Sequence, residues 1–152
     1  MSDNYLVSPN DWSVIVFRLC LSLVVGAIIG LDRQLSHKPA GLRTHMLVSL
    51  GSAVFVLIPL QLVPVPDSLN ELSRVIQGIA AGVGFLGGGV ILRQSQHELT
   101  LVEVHGLTSA AAIWVAAALG IAAGCGLWQM GLISAVLSLV VLSIFKQLEK
   151  RS

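Results

Sequence analysis

Charge is what this 152-residue sequence has least of. Asp, Glu, Lys and Arg together make up 11% of it, against about 25% in an ordinary soluble domain. So few charges cannot coat a water-exposed surface, which excludes a soluble globular enzyme and a disordered chain. The formal net charge is +1, which offers no electrostatic grip on a phosphate backbone and argues against nucleic acid as a partner. Aromatic residues are scarce, at 5%. Two cysteines, Cys20 and Cys125, are too few for a disulfide scaffold. Two apolar, unpaired thiols are the simpler expectation. No Lys or Arg precedes residue 18. A cleaved secretory signal would need a basic segment before the apolar run and a small-residue cleavage site after it, and neither is found.

Hydrophobic residues fill the space: 55% of the chain, with a mean hydropathy of +0.85 and 15 glycines. A bilayer core of about 30 Å takes about 20 apolar helical residues. Four runs meet that need at about 14–31, 46–63, 75–92 and 107–123. The last run continues, because no charged residue occurs between His105 and Lys146. As one straight helix this stretch would be about 60 Å long, so it must reverse. Gly124-Cys125-Gly126 is the natural turn, and a fifth span follows at 127–145. The expectation is an all-α membrane protein, one domain over residues 1–152, built as a bundle of five transmembrane helices.

Seven of the nine basic residues flank the same side of these spans: Arg33, Lys38, Arg43, Arg93, Lys146, Lys150 and Arg151. Arg74 lies on the other side and Arg18 lies within the first span. The positive-inside rule then places the N-terminus outside and the C-terminus in the cytoplasm. Trp12 and Trp128 begin two of the spans that enter from outside, as an interfacial belt would have them. Val63-Pro64-Val65-Pro66 reads as a stiff external connector.

The spans carry small residues at helical spacing. Arg18, Ser22, Gly26 and Gly30 share one face of the first span, and small residues on a stripe let another helix come close. Arg18 on that stripe points to a partner helix or polar cavity; snorkelling to the outer surface is the alternative. The third span holds Gly78, Gly82, Gly84, Gly87, Gly88 and Gly89. Residues 82–87 match G-x-G-x-x-G, but no strand precedes them, so no dinucleotide site is expected. Gly84, Gly87, Gly88 and Gly89 serve close packing or, alternatively, a helix break lining an opening. The fourth span is rich in Ala and Gly and should lie centrally, against the glycine faces of spans one and three.

Polar side chains gather at the inner ends of the spans: Asp32, Arg33, Arg43, Thr44, His45, Arg93 and Thr108, with Ser109 beside it. Asp32 among arginines is expected to be ionised and paired. The plain alternative is a set of interfacial anchors. His97, Glu98, Glu103 and His105 lack metal-ligand spacing. A single carboxylate at the rim is a poor Mg²⁺ cage. No catalytic residue, cofactor or metal is assigned, and no enzymatic activity is expected.

Four blocks of the sequence resemble the MgtC/SapB family in the family's own order. They are Arg18-Leu19 with Gly26-Ala27-Ile28-Ile29-Gly30-Leu31-Asp32-Arg33, Ala40-Gly41-Leu42-Arg43-Thr44-His45, Gly84-Phe85-Leu86-Gly87-Gly88-Gly89, and Gly106-Leu107-Thr108-Ser109-Ala110-Ala111 with Trp114. Asp32 stands where the family usually has Glu, Gly88 where it has Ala, and Ser109 where a second Thr is frequent. The chain reaches Ser152 without the soluble cytoplasmic domain of the longer members, so it looks like the short, membrane-only form. The resemblance implies a bacterial inner-membrane protein linked to growth at low Mg²⁺ and to virulence or stress survival. Its leading reading is a non-enzymatic module acting by contact with itself, as a homo-oligomer such as a dimer, or with another membrane-protein complex. The alternative is a transporter or channel for Mg²⁺, another cation or a small solute.

Overall fold

The computed structural model describes residues 11–63, 67–95 and 106–149, the last two segments with their side chains through 92 and 143. Within them the chain forms five helices: α1 (Trp12–Leu35), α2 (Leu42–Leu62), α3 (Asp67–Ser95), α4 (Leu107–Gly124) and α5 (Trp128–Glu149). Each expected span lies inside one of these or overlaps it closely. The helices outrun the apolar runs because backbone hydrogen bonding continues into the polar ends. α3, for instance, starts eight residues earlier, through Asp67, Glu71 and Arg74. Asp11 caps α1, its carboxylate accepting from the Val14 N–H at 3.3 Å and the Ser13 hydroxyl at 2.7 Å. The Pro64–Pro66 connector lies outside the described residues. α1 to α4 are long and apolar enough to cross a membrane. Five spans of that length were expected; the described apolar stretch of α5, Trp128–Ser143, is shorter than the rest.

Contacts fix the directions. Gly26 of α1 lies against His45 and Ser49 of α2, and Gly30 against Leu42, so α1 and α2 are antiparallel. Gly120 and Gly124 of α4 meet Ser49 and Ala53 of α2 in rising order, so α2 and α4 run parallel. Arg18 reaches Gly124 while Arg33 reaches Ser109, which sets α4 antiparallel to α1. Asp32 meets Ser143, near the far end of α5, so α5 runs with α1. α4 touches all four other helices, whereas among the described residues α3 and α5 do not meet. The central position expected for the fourth helix is therefore what the fold has.

The partners of the glycine faces differ from the expectation. Gly26 and Gly30 face α2, not α4. A Cβ on Gly26 would lie 2.8 Å from the His45 carbonyl oxygen and 2.9 Å from the Ser49 Cβ. The backbones come close enough for the Ser49 hydroxyl to donate to the Ser22 carbonyl at 2.7 Å. Every member of the predicted α1 stripe is buried: Arg18, Ser22, Gly26 and Gly30, continued by Arg33. In α3, among the described residues, only Gly87 of the predicted packing set has a close neighbour, Ala110 of α4 at 3.3 Å. A Cβ on Gly84, Gly88 or Gly89 would meet open space. The face α3 buries is the one bearing Ile79 and Val83, and those three glycines point elsewhere. α3 is also unbroken through its glycine run, so the helix break weighed for this segment is not present.

Candidate functional site

Two polar centres sit at opposite ends of α4, and α1 supplies an arginine to each. At one end, α4 stops in Gly124-Cys125-Gly126. Gly126 adopts φ +79, a left-handed conformation that favours glycine. The amides of Gly126 and Leu127 bond back to the carbonyls of Ala123 (3.0 Å) and Ala122 (2.9 Å), a Schellman turn, and the Cys125 amide takes Ile121 at 2.9 Å. That leaves Gly124, whose carbonyl accepts Arg18 Nη1 at 2.9 Å. Arg18 is 4% exposed. It points inward at a partner helix, as its stripe indicated, rather than to the surface. Its positive charge at the negative end of α4 has the favourable sign. The thiols of nearby Cys125 and of exposed Cys20 are both free.

At the other end the predicted rim residues divide into two groups. Asp32, Arg33 and His45 come inside the bundle. Arg33 is 3% exposed and donates from Nη2 to the Ser109 hydroxyl at 2.9 Å. His45 is fully buried, and its Nδ1 lies 2.9 Å from the Gly41 carbonyl. A carbonyl only accepts, so Nδ1 carries the proton, and a neutral ring then presents Nε2 as an acceptor. Asp32 Oδ1 accepts from the Ser143 hydroxyl at 3.3 Å. The expected pairing of Asp32 with arginine is not found: among the described residues no Lys or Arg lies within 4 Å of its carboxylate. Asp32 turns toward α5 while its neighbour Arg33 turns toward α4, the divergence that adjacent helical residues must show. Arg43, Thr44 and Thr108 are exposed at the same end, which fits them as interfacial anchors. The Arg93 side chain lies outside the described residues, as do His97, Glu98, Glu103 and His105.

Three buried polar atoms of this inner group have no hydrogen-bond partner among the described residues: Asp32 Oδ2, Arg33 Nε and His45 Nε2. Buried polar atoms are normally satisfied, so three together mark this as the candidate site. Ser143 was missed from the sequence. It is one of several serines on an apolar helix and becomes distinctive only when α5 is laid parallel to α1.

A sequence profile, that of the MgtC family, matches residues 19–151. The chain belongs to the MgtC family. The match begins at the residue after Arg18 and runs past Glu149, the last residue of α5. Among the relatives, Protein SrpB of Synechococcus elongatus is 50% identical over 97% of this chain and 84% of its own length. YhiD of Escherichia coli strain K12, named as a proposed magnesium transporter, is 39% identical over 90% of this chain. Protein MgtC of Salmonella typhimurium is 34% identical, also over 90%. The chain spans 62% of YhiD and 54% of that MgtC protein. No solved structure matches.

Proposed function

We propose that this MgtC-family protein is a bacterial inner-membrane module that acts without enzymatic chemistry, by helix contact with a second copy or with another membrane complex. Its role in this reading is in low-Mg²⁺ adaptation or stress survival, including virulence. The observation that carries it is the open glycine surface of α3, which runs from a cleft beside α2 at Gly78 and Gly82 to the free side of the helix. Gly78, Gly82, Gly84, Gly88 and Gly89 would each meet nothing within 4 Å on gaining a Cβ. Each glycine lowers helix propensity by about 1 kcal/mol relative to alanine. At Gly26 and Gly120 that cost is offset by close approach of another helix; at these five positions of α3 no neighbour among the described residues offsets it. Phe85, 83% exposed, projects from the same helix. A surface of this kind suits a helix from outside the chain.

The N-terminus is outside and the C-terminus cytoplasmic in this proposal. Support comes from the bundle's two ends. Arg33, Lys38 and Arg43 share one end with the ends of α3 and α5 that lead to Arg93 and Lys146, while Arg74 lies at the other.

A transporter is the second reading, favoured by the name of YhiD and by the unsatisfied atoms near Asp32. Against it stands Asp32 as the sole carboxylate in the inner group. Reconstitution separates the two. The protein in liposomes should show no flux of Mg²⁺, K⁺ or protons, while crosslinking in native membranes captures a dimer or hetero-complex that Gly84→Leu abolishes. Robust flux lost in Asp32→Asn, or crosslinked species unchanged in Gly84→Leu, would overturn the contact reading. Gly26→Leu is no test of association, because Gly26 is already filled by α2.

A further inference from the structure

α4 has an arginine at each end, and only one has the right sign. An α-helix carries about half a positive charge at its N-terminus and half a negative charge at its C-terminus. Arg18 at the C-terminal carbonyl of Gly124 satisfies that field. Arg33 does the opposite. Its guanidinium bonds the hydroxyl of Ser109 in the first turn of α4, placing a buried cation against the positive end of an 18-residue helix.

Within the described residues compensation is only partial: the adjacent Asp32 carboxylate attracts the Arg33 cation, but burial outweighs it. No carboxylate lies within 4 Å of Arg33, and its Nε–H is buried without a partner. Asp32, the adjacent acid, is turned to Ser143 on α5. Among the described residues the first turn of α4 also has no side-chain cap. Its cap residue is Gly106 at φ +93, a conformation that favours glycine over Ser, Thr or Asp, and among the described residues no side chain accepts from the N–H groups of Leu107, Thr108 and Ser109. A buried charge that is only partly compensated destabilises the fold. Orphan amides at a helix N-terminus are a ready anion site. Both deficits have the same remedy.

We infer that the N-terminus of α4 together with Arg33 is a binding site for a phosphate-class anion, either a phospholipid headgroup from the adjacent leaflet or free phosphate. The exposed residues Leu107 and Thr108 give the anion its approach. The orphan amides and the Arg33 Nε–H hold it, and the Ser109 hydroxyl, which accepts from Arg33, keeps its own proton to donate. This inference stands apart from the contact reading, since α3 takes no part in it.

The test is a melting curve of the purified protein in a phosphate-free maltoside detergent. Inorganic phosphate is titrated in one arm and phosphatidylglycerol in another, with chloride at matched ionic strength as the control. At a ligand concentration about 100 times the dissociation constant, the midpoint should rise by several degrees in at least one arm. Response to phosphate alone identifies a water-borne anion, and response to phosphatidylglycerol alone a headgroup. Arg33→Gln should weaken the response tenfold or more, whereas Arg43→Gln, at an exposed position, should leave it unchanged. Ser109→Asp supplies the missing carboxylate from within. It should raise the midpoint without ligand and abolish the response, which keeps the test sharp if Arg33→Gln fails to fold. No rise in either arm, a rise matched by chloride, or a Ser109→Asp protein that still responds would each overturn the inference.

Discussion

One methyl group on Gly120 should cost this bundle more than the propensity gain it brings. A Cβ there would lie 2.7 Å from the carbonyl carbon of Ser49 and 2.8 Å from its Cα, where carbon atoms need about 3.5–4.0 Å. The obstructing atoms are backbone, so no side-chain rotation relieves them, and α2 and α4 must move apart by about 1 Å. That opens an interface floored by the fully buried Ala53, Val56 and Ala116. Overpacking costs about 1–3 kcal/mol, and a backbone clash belongs in the upper part of that range. Alanine returns about 1 kcal/mol in helix propensity. Gly120→Ala should therefore lose about 1–2 kcal/mol, a fall in melting midpoint of roughly 2–8 °C for a chain of this size. The paired control is Gly88→Ala. It enters open space and should hold the midpoint or raise it. Thermal unfolding of the two variants in the same detergent decides the matter. A Gly120→Ala protein that melts with Gly88→Ala would refute the packing argument.

Arg18→Gln should destabilise by about 1.5–3 kcal/mol, the worth of a hydrogen bond to a charged group, because it strips the Gly124 carbonyl of its donor; denaturant titration measures it. Gly126→Ala should lose about 1 kcal/mol or more from its left-handed φ alone, and its new methyl would press on Arg18 Nη2 at 2.9 Å, so combining it with Arg18→Gln should cost less than the two separate losses together. Asp11 accepts from Ser13 and Val14, and these bonds hold its carboxyl below the usual aspartate value of 3.8. A depressed folded pKa means the capping contribution is complete above that value and vanishes as pH falls through the folded pKa. Amide exchange at Val14, corrected for intrinsic rate, should therefore accelerate only on acidification below about pH 4.

What was legible in the sequence is what depends on periodicity within one helix. The Arg18, Ser22, Gly26, Gly30 stripe is written at intervals of four, so its shared face needed no partner to be seen, and all of it is buried. The reversal at Gly124–Gly126 was legible because one helix through that apolar stretch would overrun the bilayer. Which helix meets which face was not legible. Glycine at Gly26 and glycine at Gly84 look alike in composition, yet a Cβ on the first would strike the His45 carbonyl and one on the second would strike nothing. Nor could Asp32 be paired correctly. Its hydrogen-bond partner, Ser143, is 111 positions away, and nearer arginines made the more obvious match. Charge alone favours Arg33, but rotation about the helix carries Arg33 to a different neighbour.

The geometry of α1 explains why one helix serves both ends of another. Arg18 and Arg33 are fifteen positions apart, which is about 22 Å along the axis and a net rotation of only about 60°. They therefore project to nearly the same side. α4, with 18 residues, is about 27 Å long, and a guanidinium on its flexible stem easily spans the difference. An antiparallel neighbour must then meet one arginine at each terminus, as α4 does. The same spacing makes the two contacts unequal, since the field of α4 reverses from end to end while the charge on α1 does not. An arginine pair at this interval caps its neighbour at one end and, at the other, requires an anion. Moving the second positive charge one position along, as in Arg33→Gln with Gln34→Arg, turns it about 100° away from α4. That double variant keeps the net charge of the rim. It should melt above Arg33→Lys in the absence of phosphate, because it removes the like-signed contact that lysine retains. If it melts lower, the cation at Ser109 is stabilising without a counter-ion, and the electrostatic account of this end of α4 fails.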